Sequence, residues 1–148
     1  MNIKEVRIFP NSQKYEFETR EELVDYIQNQ LRSQKRNGRY NFRKYRLVKN
    51  ISVGSIALFR FASEIVGWGE ISESAVSSSF KINGNSYEGF IMFKTNSIKA
   101  FDPPLKIKEL EQITEQIFHF NDNYNTGRAY YKIPFNFKSN IKSVVNEV

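Results

Sequence analysis

The order of the predicted elements indicates an α+β fold: a strand, a helix, a run of strands, a second helix and a last strand. Three observations lead to this prediction: a helix start with a clear cap, many strand-like segments in the middle of the chain, and an amphipathic stretch after them. Short strands joined by tight turns favour a small β-barrel or a strongly curved mixed sheet, flanked by two or more helices. With 148 residues and no internal repeat or linker, the chain is expected to be a single domain, 1–148.

The first helix has the clearest sequence signal in the chain. Thr19 and Glu22 form a capping box, in which the Thr19 side chain accepts from the backbone N–H at N3 and Glu22 reaches back. Apolar residues recur four positions apart as far as Leu31, which gives the helix one buried stripe. The helix is predicted to run to about Lys35, because Asn37-Gly38 is a left-handed stop signal.

The strand predictions rest on segments rich in β-branched and aromatic residues, bounded by turn residues. The segments are residues 3–9, 15–17, 45–48, 56–61, 64–71, 80–82, 87–94, 97–101 and 129–133. The first two are expected to pair with each other, and 56–61 and 64–71 are expected to form an antiparallel hairpin. Residues 72–79 (SESAVSSS) are small and polar and predict a loop, whereas Asn83-Gly84 predicts the turn of a second hairpin.

A second helix is predicted over residues 107–120, because Leu110, Ile113 and Ile117 share one face. The single histidine, His119, lies at its end among aromatic residues, where core packing is the ordinary role. One histidine cannot build a metal cluster.

The positive charge of the chain is concentrated in one quarter of it. Residues 26–63 carry nine Lys or Arg and no acid, whereas residues 1–25 sum to −2 and residues 64–148 to −1. The nine cations are Arg32, Lys35, Arg36, Arg39, Arg43, Lys44, Arg46, Lys49 and Arg60. A concentrated field of one sign attracts polyanions, and aromatic side chains among the charges suit bases. Nucleic acid, DNA or RNA, is therefore the leading partner; the alternative is a solvated basic helix end and loop.

Known catalytic patterns are absent from the sequence. There is no cysteine, no P-loop and no G-x-G-x-x-G motif, and no lysine has an acid two positions before it, as one nuclease class requires. Glu64, Glu70 and Glu73 are ordinary surface acids by their spacing. The sequence predicts a binding protein without a metal or cofactor, and an enzyme of unrecognised type is the minor alternative.

The N-terminus is charged from Lys4 onward and lacks the apolar run of a signal peptide. No apolar stretch reaches the ~20 residues that a membrane helix needs. A soluble, cytoplasmic protein is expected.

Two central segments resemble the heart of the PUA-like superfamily, which includes PUA, ASCH, EVE, YTH and SRA-type domains. They are residues 53–59 (VGSIALF) and 65–70 (IVGWGE). Residues 91–93, 97–101 (SIKAF) and 103–110 (PPLKIKEL) resemble the strand and proline-started helix that end EVE and YTH domains. The resemblance covers about 38–133. It departs from the pattern at Ser55, where an acid is common, and at Trp68, where a small aliphatic residue is usual.

The resemblance implies a PUA-like barrel that holds a base, sometimes a modified base flipped out of a duplex, in a pocket at its mouth. The pocket candidates are Trp68, Tyr40, Phe42 and Phe59, and the backbone of residues 41–45 is a source of hydrogen bonds to base edges. Gly67 and Gly69 share one strand face, which indicates either curvature or a floor for a flat ligand.

The predicted nucleic-acid-binding set is Arg36, Arg39, Tyr40, Asn41, Phe42, Arg43, Lys44, Arg46 and Trp68. Its cations would hold phosphates and its aromatics a base. For each aromatic residue, core packing is the competing interpretation. The alternative function is a protein-interaction module that docks an acidic partner through the basic segment. The sequence leaves open DNA or RNA, single or double strand, the identity of any modified base and the oligomeric state.

Overall fold

A mixed seven-stranded sheet organises the chain in the computed structural model, which describes residues 6–11, 17–114 and 132–133. The strands are β1 (Val6–Pro10), β2 (Arg39–Phe42), β3 (Ile56–Phe61), β4 (Glu64–Ile82), β5 (Asn85–Phe93), β6 (Lys99–Lys106) and β7 (Lys132–Ile133). They run in the order β2-β5-β4-β3-β1-β7, and β6 pairs with β4 off this path. The helices are α1 (Arg20–Asp25), which continues as π-helix Tyr26–Leu31, and α2 (Ile107–Thr114), with 3₁₀ turns at Tyr45–Leu47 and Thr95–Ser97.

The expected α+β composition is confirmed, but the sheet does not close into a barrel. Within the described residues its path ends at β2 on one side and at β7 on the other, and these two strands do not pair. The pairing of β1 also differs from the prediction. β1 runs parallel to β3, with Val6 opposite Ile56, and antiparallel to β7. Residues 15–16 of its predicted partner lie outside the described residues.

The capping box of α1 is confirmed with one shift. Thr19 Oγ1 accepts from the Glu22 N–H at 3.2 Å, and the Glu22 carboxylate accepts from the Glu18 N–H at 3.0 Å. The helix ends at Leu31, four residues earlier than predicted. Asn37 and Gly38 do have left-handed φ angles of 52° and 82°, but they lie in the turn after the helix, where Gly38 donates its N–H to the Leu31 carbonyl.

The hairpin of β3 and β4 is confirmed, but the loop predicted at residues 72–79 is wrong. β4 continues through these residues to Ile82 and pairs with β5 from Ile71 to Ile82, with three register irregularities. Small polar residues form strand here because the partner strand supplies the backbone hydrogen bonds, and tertiary context overrides weak β-propensity. The predicted turn is confirmed: Asn83 and Gly84 have φ of 51° and 82°, as a type I′ hairpin requires.

Other element boundaries differ from the sequence prediction. Residues 45–47 form a 3₁₀ turn rather than a strand, and residues 39–42, where no strand was predicted, form strand β2. The predicted strand 97–101 begins at Lys99 and continues to Lys106. The second helix does begin at Ile107; its predicted end, with His119, lies outside the described residues, as do residues 129–131 of the last strand.

Aromatic rings fill the core between the helix and one face of the sheet. The Phe59 ring packs among three others, with ring centroids 5.6 Å from Tyr40, 5.5 Å from Phe93 and 6.2 Å from Phe9. Ile27 of the π-helical turn completes this face, fully buried.

The two glycines of β4 let this core close. A Cβ on Gly67 would lie 2.7 Å from the Lys99 carbonyl oxygen, and one on Gly69 would lie 2.7 Å from the Phe93 ring. The glycine pair therefore serves close approach between strands and side chains, not the floor of an open pocket.

Candidate nucleic-acid interface

The four aromatic residues predicted to line a base pocket are buried. Tyr40, Phe42, Phe59 and Trp68 are between 0% and 4% exposed. Tyr40 also donates its hydroxyl hydrogen to Asn11 Oδ1 at 3.1 Å, which anchors the ring in the core. The four residues therefore lie in the core, as the competing interpretation of the sequence expects.

Trp68 lies on the opposite face of the sheet from Phe59. Phe59 pairs with Gly67, whereas Leu58 pairs with Trp68, and neighbouring residues of a strand point to opposite faces. Trp68 therefore stands in a row with Leu58 and Ile8, away from the aromatic core. One pocket cannot use both Phe59 and Trp68. The Trp68 Nε1–H is buried and has no acceptor among the described residues.

The predicted cations lie along β2 and the turn after it. Arg39, Lys44 and Arg46 are exposed, and Arg43 is half-buried. Arg36 has a structural role, because its guanidinium donates to the Arg39 carbonyl at 3.0 and 3.2 Å.

Three more residues of the predicted set, Tyr40, Asn41 and Phe42, lie on β2, some facing the core and some facing outward. Asn41 is half-buried and its side-chain oxygen accepts from Arg39 Nε at 3.4 Å. Tyr40 and Phe42 alternate with Arg39 and Asn41, so β2 presents aromatics to the core and polar residues to the outside.

The side chains of Arg7 and Glu88 fix the turn after β2 to the sheet. Arg7 is 2% exposed, and its Nη1 donates to the carbonyls of Leu47 and Lys49 at 3.1 and 2.9 Å. At the other end of the turn, the Glu88 carboxylate accepts from the Tyr45 N–H at 2.6 Å. These hydrogen bonds hold the backbone of the turn in place, and the backbone in turn positions the cations.

A second group of aromatic residues, absent from the sequence prediction, lies beside these cations. Phe80 and Tyr87 pair across β4 and β5 and stack, with centroids 5.4 Å apart and 22° between the ring planes. The Arg39 guanidinium lies 3.8 Å from the Phe90 centroid and 5.8 Å from that of Phe80. The Arg43 guanidinium lies 5.9 Å from the Tyr87 centroid. We call these five residues the aromatic–arginine row.

A surface groove of about 480 Å³ runs beside the stacked pair. Its charged lining consists of Arg43, Lys44 and Lys81 against one acid, Glu88, and the rings of Phe80 and Tyr87 supply its apolar lining. The groove therefore combines a net positive charge with flat apolar surface. Volumes of ~300–1,000 Å³ are usual for sites that hold a small molecule, and one nucleotide is of that class.

The pairing of Phe80 with Tyr87 could have been predicted from the sequence. A two-residue turn at Asn83-Gly84 fixes the register of its hairpin, and that register places Phe80 opposite Tyr87. The polar composition of residues 72–79 concealed the strand. The approach of Arg39 and Arg43 depends on the pairing of β2 with β5, which no local pattern encodes.

The described part of the chain contains no group of three His, Asp or Glu side chains placed to hold a metal ion. It also contains no helix of the length and apolarity needed to span a bilayer.

Comparison with solved structures identifies the architecture. Two crystal structures of the Mmi1 YTH domain superpose with TM-scores of 0.54 and 0.55, at 12% and 13% sequence identity. The matches cover 97% of this chain and 88% and 96% of the other chains. The chain has a YTH-like fold. No family model matches it, and no curated protein matches it by sequence.

At this level of identity the YTH-like fold is a statement about architecture alone. It agrees with the YTH part of the sequence resemblance, whereas membership of the wider PUA-like superfamily stays a prediction.

Proposed function

We propose that this YTH-like domain is a nucleic-acid-binding module whose basic edge holds the phosphate backbone. The basic edge is Arg39, Arg43, Lys44 and Arg46. The observation that carries the proposal is their placement: all four belong to β2 and the turn after it, beside an aromatic groove. Cations hold phosphates and set affinity, whereas aromatic faces contact bases.

RNA is the nucleic acid that we propose first. Recognition of RNA mainly uses unpaired bases, which stack on aromatic side chains and on guanidinium planes. The aromatic–arginine row has both kinds of surface. A preference for a modified base is a finer proposal, supported by the likeness to YTH domains and by the sequence resemblance. We propose a binding role without catalysis.

The test is the salt dependence of binding to a short, unstructured oligoribonucleotide, followed by fluorescence anisotropy. If four phosphates are contacted, log K should fall against log salt with a slope of about −2.8, or about −3.6 for a duplex. Lys44→Gln with Arg46→Gln should weaken binding and reduce the single-strand slope by about 1.4.

The matched control is Lys106→Gln with Lys108→Gln, two exposed cations remote in sequence from the basic edge. This pair should leave affinity and slope unchanged. Equal losses for both pairs would show that the charge of the whole protein, not the basic edge, drives binding. Polyglutamate that displaces RNA at equal charge would favour the acidic-partner module instead.

A further inference from the structure

The end of the β4–β5 hairpin carries two aromatic rings that are not part of the buried core. None of residues 72–88 is buried, whereas Ile71 and Gly89 on either side are. We call residues 72–88 the distal ribbon. Phe80 and Tyr87 are its two aromatic residues, each half-buried and stacked on the other. Their large apolar surface stays partly in contact with solvent, so burial does not account for it.

The surroundings of the pair have the chemistry of a nucleotide site. Arg39 reaches the pair from β2, and Arg43 reaches it from the turn after β2. A cross-strand aromatic pair needs no cation to stabilise a hairpin. The groove adds Lys44 and Lys81, so that three cations line it against one carboxylate, that of Glu88. The net charge of the lining is therefore positive beside the rings, which favours an anionic ligand.

We infer that the distal ribbon is a stacking platform for unpaired bases of single-stranded RNA. Phe80 and Tyr87 contact the bases, and Arg43, Lys44 and Lys81 contact the flanking phosphates. This inference rests on the proposed function and gives it a subsite. Bases inside a duplex already stack on their neighbours, so only a single strand can offer their faces to the ribbon.

The ribbon acts apart from the predicted Trp68 pocket. Tyr40, Phe42 and Phe59 are enclosed in the core, whereas Phe80 and Tyr87 of the ribbon are half-buried and line a surface groove. Stacking on exposed rings tolerates every base, because each base has a π-face. The ribbon therefore adds affinity for single strands with little sequence preference.

The experiment compares wild-type protein with Phe80→Ile/Tyr87→Val, which removes the rings and keeps residues that favour strands. The matched control is Val76→Thr/Ile82→Thr, which changes two exposed apolar residues of β4 without touching a ring. Far-UV circular dichroism and melting show that each variant is folded. The probes are an oligoribonucleotide, its DNA counterpart, the RNA duplex, and an abasic oligomer with the same number of phosphates.

The ring variant should bind the oligoribonucleotide about five- to 150-fold more weakly, as expected for the loss of stacking on one base. Its salt slope should stay unchanged, because the cations remain. On the abasic oligomer and on the duplex, the ring variant and wild type should bind alike. A 2-aminopurine base in the probe should change fluorescence with wild type and with the Thr control, but not with the ring variant.

Wild-type affinity in a folded ring variant would overturn the stacking platform, while a loss in Lys44→Gln/Arg46→Gln would leave the proposed function intact. An equal loss on the abasic oligomer would overturn the platform too, because it would show that the rings act through the cations. Tighter binding of the DNA probe than of RNA would overturn the assignment to RNA. No binding of any probe by wild type would overturn both proposals.

Discussion

The two halves of strand β4 use aromatic residues in opposite ways. Along residues 64–71 the strand lies in the sheet centre, and every residue after Glu64 is buried. Along residues 72–82 none is buried, and Phe80 stacks on Tyr87 beside arginines. One continuous strand therefore passes from a structural core to a charged surface. Aromatic content alone does not identify a base-binding site; what matters is whether the ring face is enclosed by apolar neighbours or flanked by cations.

This difference explains why the aromatic residues that the sequence prediction named for an open pocket are buried in the structure. Tyr40 and Phe42 lie among cations along the chain, but strand alternation turns them into the core. Arg39 and Arg43 remain outside, where Phe80, Phe90 and Tyr87 meet them from the neighbouring strands.

The largest effect expected from this comparison is at Trp68. Trp68→Ala removes a large ring that is 4% exposed, and it should lower the free energy of unfolding by about 3–5 kcal/mol. RNA affinity per folded molecule should stay at the wild-type value. Chemical denaturation and anisotropy on the same samples measure both quantities. A Trp68→Ala protein of unchanged stability that no longer binds a modified base would restore Trp68 to the site.

Gly67 in β4 and Gly84 in the turn after β4 should respond differently to substitution, because one is closely packed and the other is not. Gly67→Ala places a Cβ 2.7 Å from the Lys99 backbone oxygen, and such overpacking should cost about 1–3 kcal/mol. Gly84 has open space around it but a φ of +82°, which asparagine tolerates, so Gly84→Asn should cost less than about 1 kcal/mol. Urea midpoints at equal slope give both values. Similar losses at both positions would contradict the difference between the packed surroundings of Gly67 and the open surroundings of Gly84.

The smallest effect on stability is expected in the distal ribbon. Phe80→Leu should lower the free energy of unfolding by about 0.2–1 kcal/mol, the usual size of a cross-strand pair. A double-mutant cycle with Tyr87→Leu isolates the pair from other contacts. A coupling of several kcal/mol would show that the ribbon is part of the core after all, and its rings would then be explained by stability.

Local signals account for the elements that the sequence predicted correctly. The Thr19 cap, the β3–β4 hairpin and the Asn83-Gly84 turn each depend on a few adjacent residues, and each is present in the structure. A helix cap or a type I′ turn is decided by hydrogen bonds and φ angles within one short segment. The basic character of residues 26–63 is likewise a property of the sequence itself.

Tertiary structure decided what local patterns cannot encode. The parallel pairing of β1 with β3, the extension of β4 through residues 72–79 and the open sheet all depend on contacts between distant segments. The same is true of the candidate site, because β2 must pair with β5 before Arg39 can meet Phe90. The sequence alone determined that a basic, aromatic-rich surface was available. Which rings stayed outside was decided by strand alternation and pairing, because a ring is free to bind only where the packed sheet leaves its face uncovered.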